Sequence, residues 1–345
     1  MSTPPNKNKK EKVGERPEPG RLDAALRPRR WKEYVGQEQV KKALSVLIEA
    51  AQKRKEPVEH LLLYGPAGLG KTTLAHLVAK EMNAQIKVTS GPVIERVGDL
   101  AALLTNLSEG DILFIDEAHR INKLAEEMLY SAMESGALDI IIGKGPSART
   151  IQLDLPSFTL IAATTRISLL SSPLRSRFSG GVFRLEFYDE SDIRNIVERS
   201  SNILGILTEK DAVREIALRS RRTPRIANQL LKRCRDVADV VGSKEITRAI
   251  AMEALELLDI DEKGLNGEDR RLLKSLIIKH RGGPVGLNTL AASISEDVGT
   301  IEEVYEPYLI RLGFIERTPK GRVATIHAFK HLGIDVSNDK QSRFF

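Results

Sequence analysis

The segment "GPAGLGKT" (65–72) constrains this chain more than any other eight residues in it. It fits G-x-x-x-x-G-K-[ST] and stands between the apolar run "HLLLY" and the helix-forming run "TTLAHLVAKEM". Glycines let successive backbone N–H groups turn inward around phosphate oxygens. The helix that follows contributes the positive end of its dipole, Lys71 reaches the β- and γ-phosphates, and Thr72 places its hydroxyl on Mg²⁺. Such a loop belongs between a buried parallel strand and a helix, so it predicts an α/β core with a nucleoside triphosphate site at one strand tip.

Later runs continue the alternation of strand and helix. "ILFIDE" is an apolar strand ending in Asp116 and Glu117. Two carboxylates at the tip of a buried strand are costly unless something there uses them. Asp116 would hold the Mg²⁺ shell, and Glu117 would polarise the attacking water as general base. "AATTR" ends the next strand with Thr165, which can hydrogen-bond the γ-phosphate or the water, although Thr164 and Thr165 also suit a strand for their shape alone. "SSPLRSRF" supplies Arg175 and Arg177; an arginine there could stabilise phosphoryl charge, while a surface ion pair is the commoner use of the residue. In "RTPRIANQLL", Thr223 is expected to cap a helix, Pro224 to take its first position and Arg225 to lie in its first turn, where a cation opposes the dipole unless an anion is near.

The periodicity divides the chain. Residues 1–20 are a Pro/Lys/Glu-rich polar stretch without a signal-peptide core and read as a disordered tail. Residues 21–187 carry the parallel α/β pattern, 188–260 an all-helical unit, and 261–335 three helices followed by strand–turn–strand, the outline of a winged helix; 336–345 form a tail. Thr300 with Glu303 reads as a capping box for the third of those helices. Between the Asp116 and Thr165 strands lies "ALDIIIGKGPSARTIQLDLP" (137–156), a β-hairpin with strands at 138–142 and 150–155 and the turn "GKGPSA". Its isoleucines exceed what one hairpin can hide, so Ile140, Ile141, Ile142 and Ile151 are candidates for a partner surface or for packing on a neighbouring subunit. The single cysteine, Cys234, permits no intrachain disulfide and suits a reduced, cytoplasmic setting. No apolar run approaches the roughly 18 residues of a membrane span. A formal net charge of +6 permits a polyanionic partner such as nucleic acid without requiring one.

Taken together, "GPAGLGKTT", "DEAHR", "ATTR", "SPLRSRF" and "TPRIAN" resemble the AAA+ ATPases in order and spacing. "RPRRWKEYVGQ", "TSGPVIERVGDLAALLTNL", "GGPVGLNTLAASISED" and "EPYLIRLGFIERTPKGRVAT" extend the resemblance, over about residues 26–333, to the bacterial motors of that family that move four-way DNA junctions. The resemblance implies ATP and Mg²⁺ as cofactors and a hexameric ring that pumps duplex DNA in recombination and repair. It also implies a junction-binding partner protein that docks on the 137–156 hairpin, and leaves room for a junction resolvase. By motif match, Leu26, Arg27 and Tyr188 would border adenine and ribose, and Gly68, Lys71, Thr72 and Thr73 would hold phosphates and Mg²⁺. Arg177 would be an arginine finger acting in trans, Arg225 a second sensor, and Arg317 and Arg322 DNA contacts. "RFSGGVFRLEF" is one residue longer and richer in glycine than the family pattern, which leaves Arg175 as a rival to Arg177.

The winged-helix text adds its own expectation. Its third helix carries Glu302, Glu303 and Glu306, with Pro307 expected to kink it, whereas the positive charge (Arg317, Lys320, Arg322) sits in the wing. Acidic residues repel phosphates, so the wing is expected to track the DNA backbone independently of sequence; a merely solvated wing is the alternative. "DEAH" also occurs in RNA helicases, but those need two tandem ATPase domains and more chain. A DNA-binding switch ATPase of the clamp-loader or initiator type, without strand movement, is the remaining alternative. A scaffold without catalysis does not explain Lys71, Asp116 and Glu117.

Overall fold

The computed structural model describes residues 19–142 and 149–335. Its centre is a parallel sheet of β1 (Leu61–Tyr64), β2 (Ile86–Ser90), β3 (Ile112–Asp116), β6 (Thr159–Thr164) and β7 (Gly181–Arg184), in the order β2-β3-β6-β1-β7. β4 (Ala137–Ile142) and β5 (Arg149–Asp154) form a separate antiparallel pair. Apolar side chains on alternate faces of the sheet build two cores. Leu61, Leu63, Phe114 and Ile161 join one that continues through Leu44 and Leu74 into the lid helices. Leu62, Leu113, Ile115 and Leu160 join the other, with Leu100, Leu129 and Leu174. Covering both faces is what a parallel sheet requires, and it explains why β1, β3 and β6 read as unbroken apolar runs.

The sequence reading identified those three central strands and missed the edge strands β2, "IKVTS", and β7, "GVFR". Each edge strand is half exposed and mixes polar with apolar residues, so neither shows the buried-strand signature. The order brings the C-terminal tips of β1, β3 and β6 side by side, which places the phosphate loop, Asp116–Glu117 and Thr165 at one rim.

Residues 188–261 fold into four main helices, Glu190–Leu204, Lys210–Arg219, Pro224–Val241 and Arg248–Leu257. To these the structure adds one short parallel pair, β8 (Leu207–Thr208) with β9 (Glu245–Ile246). Beyond them lies the winged helix. Gly267–Lys274 runs on through a π turn (Ser275–Lys279), Leu287–Ile294 follows, and the third helix runs from Val298 to Arg311 before the wing strands β10 (Ile315–Thr318) and β11 (Gly321–Ala324). The third helix starts three residues earlier than expected. Asp297, not Thr300, is its cap and accepts from the Thr300 N–H at 3.1 Å, while Thr300 is already helical. A π turn (Ile301–Tyr305) precedes Pro307, so the missing N–H is absorbed there.

Leu138 and Ala137 are buried at the base of the hairpin, whereas Ile151 and Leu153 on β5 are 45% and 38% exposed. Gln152 and Asp154, on the other face, are exposed as well, so this strand of the arm is in solvent on both sides. The "GKGPSA" turn (143–148) and the side chains of Ile140, Ile141 and Ile142 lie outside the described residues. Among the described residues no helix is long and apolar enough to cross a membrane.

Candidate active site

One cleft of about 350 Å³ at the sheet rim collects most of the residues singled out in the sequence. Leu26, Arg27, Gly68, Lys71, Thr72, Thr73, Asp116, Glu117, Tyr188 and Arg225 all line it. Gly68 has φ +80, and a Cβ there would lie 2.8 Å from Thr223 Cγ2 and 3.0 Å from Arg225 Cβ. A bare α-carbon at this position therefore lets the first turn of the lid helix Pro224–Val241 approach the phosphate loop. At Gly70, φ +102, a Cβ would meet the Tyr34 hydroxyl at 2.7 Å.

Lys71 opens the helix Lys71–Glu81 and is buried; its ammonium donates to the carbonyls of Gly65 (2.7 Å) and Pro66 (3.0 Å). Burial pushes its pKa down, and the Glu117 and Asp116 carboxylates offset this only in part. The Thr72 hydroxyl donates to Asp116 Oδ2 at 3.3 Å, and Asp116 Oδ1 accepts the Glu117 N–H at 3.0 Å. Glu117 itself has φ 47, a left-handed conformation that costs a non-glycine residue on the order of 1–3 kcal/mol and is kept where the surroundings enforce it. Its Oε2 accepts from the Thr165 hydroxyl (3.0 Å) and lies 3.2 Å from His119 Nδ1. His119 Nδ1 is also 2.9 Å from the Thr164 hydroxyl. Burial holds the imidazole below its usual 6.5, so His119 is neutral at pH 7. Thr164 is fully buried and Thr165 stands at the tip, which separates the two threonines that the sequence left alike.

One expectation changes and two gain detail. Thr223 occupies the N-cap position, but its hydroxyl donates to the Arg221 carbonyl (3.0 Å) and makes no cap bond. Tyr188 is buried, and its hydroxyl is fastened to Leu69 O and Tyr34 Oη, both at 3.1 Å, so it offers the cleft a ring wall. Arg177 lies outside the cleft, where its Nη2 pairs with Glu134 at 2.5 Å; Arg175 is an exposed neighbour. Sequence reasoning missed Tyr34, His119, Ile196, Arg199 and Asn228. Asn228 was within reach, one helical turn beyond Arg225 on the same face, whereas Arg199 carries no local signal.

Two of the three wing cations share one buried partner. Glu306 is 1% exposed and receives both guanidiniums. Arg317 donates to its two oxygens at 2.8 and 2.9 Å, and Arg322 at 2.9 and 3.1 Å. Burial raises the Glu306 pKa, but the two guanidiniums outweigh it and hold the carboxyl below its ordinary 4.5. The Arg317 side chain remains 50% exposed and that of Arg322 only 17%. Lys320, at the turn, is exposed. Glu302 and Glu303 face no open surface alone: Arg166, next to Thr165, pairs with them at 3.1 and 2.6 Å.

Comparison with known proteins fits this arrangement. Residues 26–185 match the family model described as the Holliday junction DNA helicase RuvB P-loop domain, residues 188–261 the RuvB AAA lid domain, and residues 262–333 the RuvB C-terminal winged helix domain. The chain belongs to the RuvB family. It is therefore an AAA+ ATP hydrolase with a helical lid and a winged helix. Among relatives, the Holliday junction branch migration complex subunit RuvB of Dehalococcoides mccartyi is 56% identical over 323 residues, covering 94% of this chain and 92% of the relative. The protein of the same description from Chloroflexus aggregans is 57% identical and covers 91% and 89%. The solved structure described as the Thermotoga maritima RuvB Holliday junction branch migration motor is 49% identical, with TM-score 0.83 over 90% of this chain and 99% of that one. A point mutant of the Thermotoga protein superposes with TM-score 0.84 at 50% identity over the same shares.

Proposed function

We propose that this chain is the ATP-driven motor subunit of a Holliday junction branch-migration complex, acting as a hexameric ring with a RuvA-type junction-binding partner. The observation that carries the reading is the division of the nucleotide site. One cleft is lined from the sheet by Lys71, Thr72, Asp116 and Glu117 and from the lid by Arg225, while Arg177 stands outside it. A site that lacks its finger is complete only when another copy presents Arg177 to it, and a closed head-to-tail ring does this for every copy.

Within the cleft, Lys71 grips the β- and γ-phosphates and Glu117 takes the proton of the attacking water, with Thr165 fixing the carboxylate. Thr72 and Asp116 would hold Mg²⁺, which neutralises phosphate charge when bound. Their oxygens already adjoin at 3.3 Å, and Mg²⁺ characteristically takes one or two protein oxygens together with substrate phosphates and water. Arg225, at a helix start where a cation is unfavourable, answers the γ-phosphate and carries its state to the lid. The wing meets duplex DNA by its backbone through Lys320 and Arg317, with Arg322 nearer the protein. The hairpin, whose residues 151–154 face solvent, docks the partner.

A synthetic four-way junction tests this reading. ATP with the RuvA-type partner should convert it to two duplexes, and ATP omission or Lys71→Ala should abolish conversion. ATP turnover without strand movement would leave a switch ATPase instead.

A further inference from the structure

Arg199 lies on the lid helix Glu190–Leu204 yet binds the far side of the cleft. It donates to the Leu26 carbonyl (2.9 Å), to the Arg27 carbonyl (3.3 Å) and to the Glu33 carboxylate (3.4 Å). Glu33 also accepts from the Arg29 N–H at 2.8 Å and from Arg30 Nε at 2.6 Å. Residues 26–30 are thereby held as a strap between the lid and the sheet domain. Leu26, Arg27 and Pro28 of this strap face the cleft beside Tyr34, Val35, Tyr188 and Ile196.

The hydrogen-bonding groups of the strap can be counted. The Arg27 N–H is used by the Ala24 carbonyl (3.3 Å), Pro28 has none, and the Arg29 N–H is used by Glu33. The carbonyls remain able to accept, because each oxygen has two lone pairs and an arginine fills one. Of the three strap residues that face the cleft, Leu26 ends the helix Pro19–Leu26, the Arg27 N–H is used and Pro28 has none, so this stretch presents acceptors to an incoming base and no free N–H. The 6-amino group of adenine supplies donors to such an edge. At the same position the 6-oxo group of guanine would set acceptor against acceptor, and guanine's own donors, N1–H and the 2-amino group, would reach these carbonyls only if the base shifted along its edge, in a partly dry site where unmet polar groups are expensive.

We propose that Arg199 is a positioning residue for base selection: by holding the Leu26 and Arg27 carbonyls, it fixes an acceptor edge that favours a 6-aminopurine over a 6-oxopurine triphosphate. The proposal rests on the ATPase reading of the cleft given above. It makes the lid contribute to base choice as well as to the γ-phosphate.

The test is steady-state hydrolysis of ATP and of GTP by the full chain, as wild type, Arg199→Leu and Arg199→Lys. Wild type should favour ATP in kcat/KM. Arg199→Leu should raise KM for ATP about tenfold, hold kcat within about threefold, and lower the ATP-to-GTP preference by about tenfold. Arg199→Lys should recover part of the preference, since an ammonium can still donate to one carbonyl. If Arg199→Leu does not fold, Glu33→Gln loosens the same strap from its other end and should lower the preference in the same sense. An unchanged preference in the variants that fold, or a fall in kcat with KM and preference kept, overturns the proposal while leaving the ATPase reading intact. A wild-type chain that hydrolyses neither nucleotide overturns both.

Discussion

Glu117 sets the terms at the scale of single residues. It holds a left-handed backbone angle at the end of an apolar strand, and its carboxylate is tied to Thr165 and to the neutral His119. In the function proposed above, Lys71 grips the phosphates and Glu117 acts as the base. Glu117→Gln should therefore bind ATP and hydrolyse it about 10²- to 10⁴-fold more slowly, whereas Lys71→Ala should fail to bind. Nucleotide binding measured beside phosphate release checks both, and near-normal turnover by Glu117→Gln would refute the assignment. Asp116 and Glu117 were legible in the sequence because two carboxylates after an apolar run need a reason to be there. His119 and Arg199 were not. Their roles come from groups 45 or more residues away in the chain, the Thr164 hydroxyl and the Leu26 carbonyl, which no local pattern encodes.

The wing shows what changes at the scale of elements. Read as a string, its three cations looked equivalent; in the fold, one buried carboxylate serves two of them. Glu306 looked like a surface acid because its partners lie 11 and 16 residues away, across the turn from helix to wing. If the wing grips phosphates, Lys320→Ala and Arg317→Ala should each weaken duplex binding equally for unrelated sequences and lower the salt slope by about one unit. Arg322→Ala should alter the slope less, and loss confined to some sequences would argue for base readout. The cluster also sets an acid limit. Because the folded pKa of Glu306 is depressed, its stabilisation is fully present above 4.5 and is lost as pH falls through the folded value. The stability gap between wild type and Glu306→Gln, followed by chemical denaturation, should shrink steadily below that pH; a gap independent of pH would contradict the pairing. The hairpin arm makes a separate claim. Ile151→Ser with Leu153→Ser should keep basal ATP hydrolysis and lose partner-stimulated branch migration. Loss of basal hydrolysis or of the ring would show that the arm packs between subunits.

For the whole molecule, the winged helix is fastened to both halves of the nucleotide site. Arg166, one residue past Thr165, pairs with Glu302 and Glu303, and Arg221, four residues before Arg225, pairs with the fully buried Asp269 and lies over the Tyr308 ring. The Arg166 pair is partly exposed and the Arg221 pair buried, so a lid rotation would strain the first before the second. The three-part order of the chain was visible in its periodicity. These fastenings were not, because each joins a residue beside a strand tip or a helix start to one more than 40 positions on. The central claim is that each nucleotide site is finished by a neighbour, and mixing variants tests it most directly. Arg177→Ala and Lys71→Ala should each be inactive alone, the first lacking a finger to offer and the second lacking a phosphate grip. Combined in equal amounts, they should regain measurable ATP hydrolysis, since an Arg177→Ala pocket can meet the intact Arg177 of a Lys71→Ala neighbour. Mixtures that stay as inactive as either parent would contradict a site shared through Arg177.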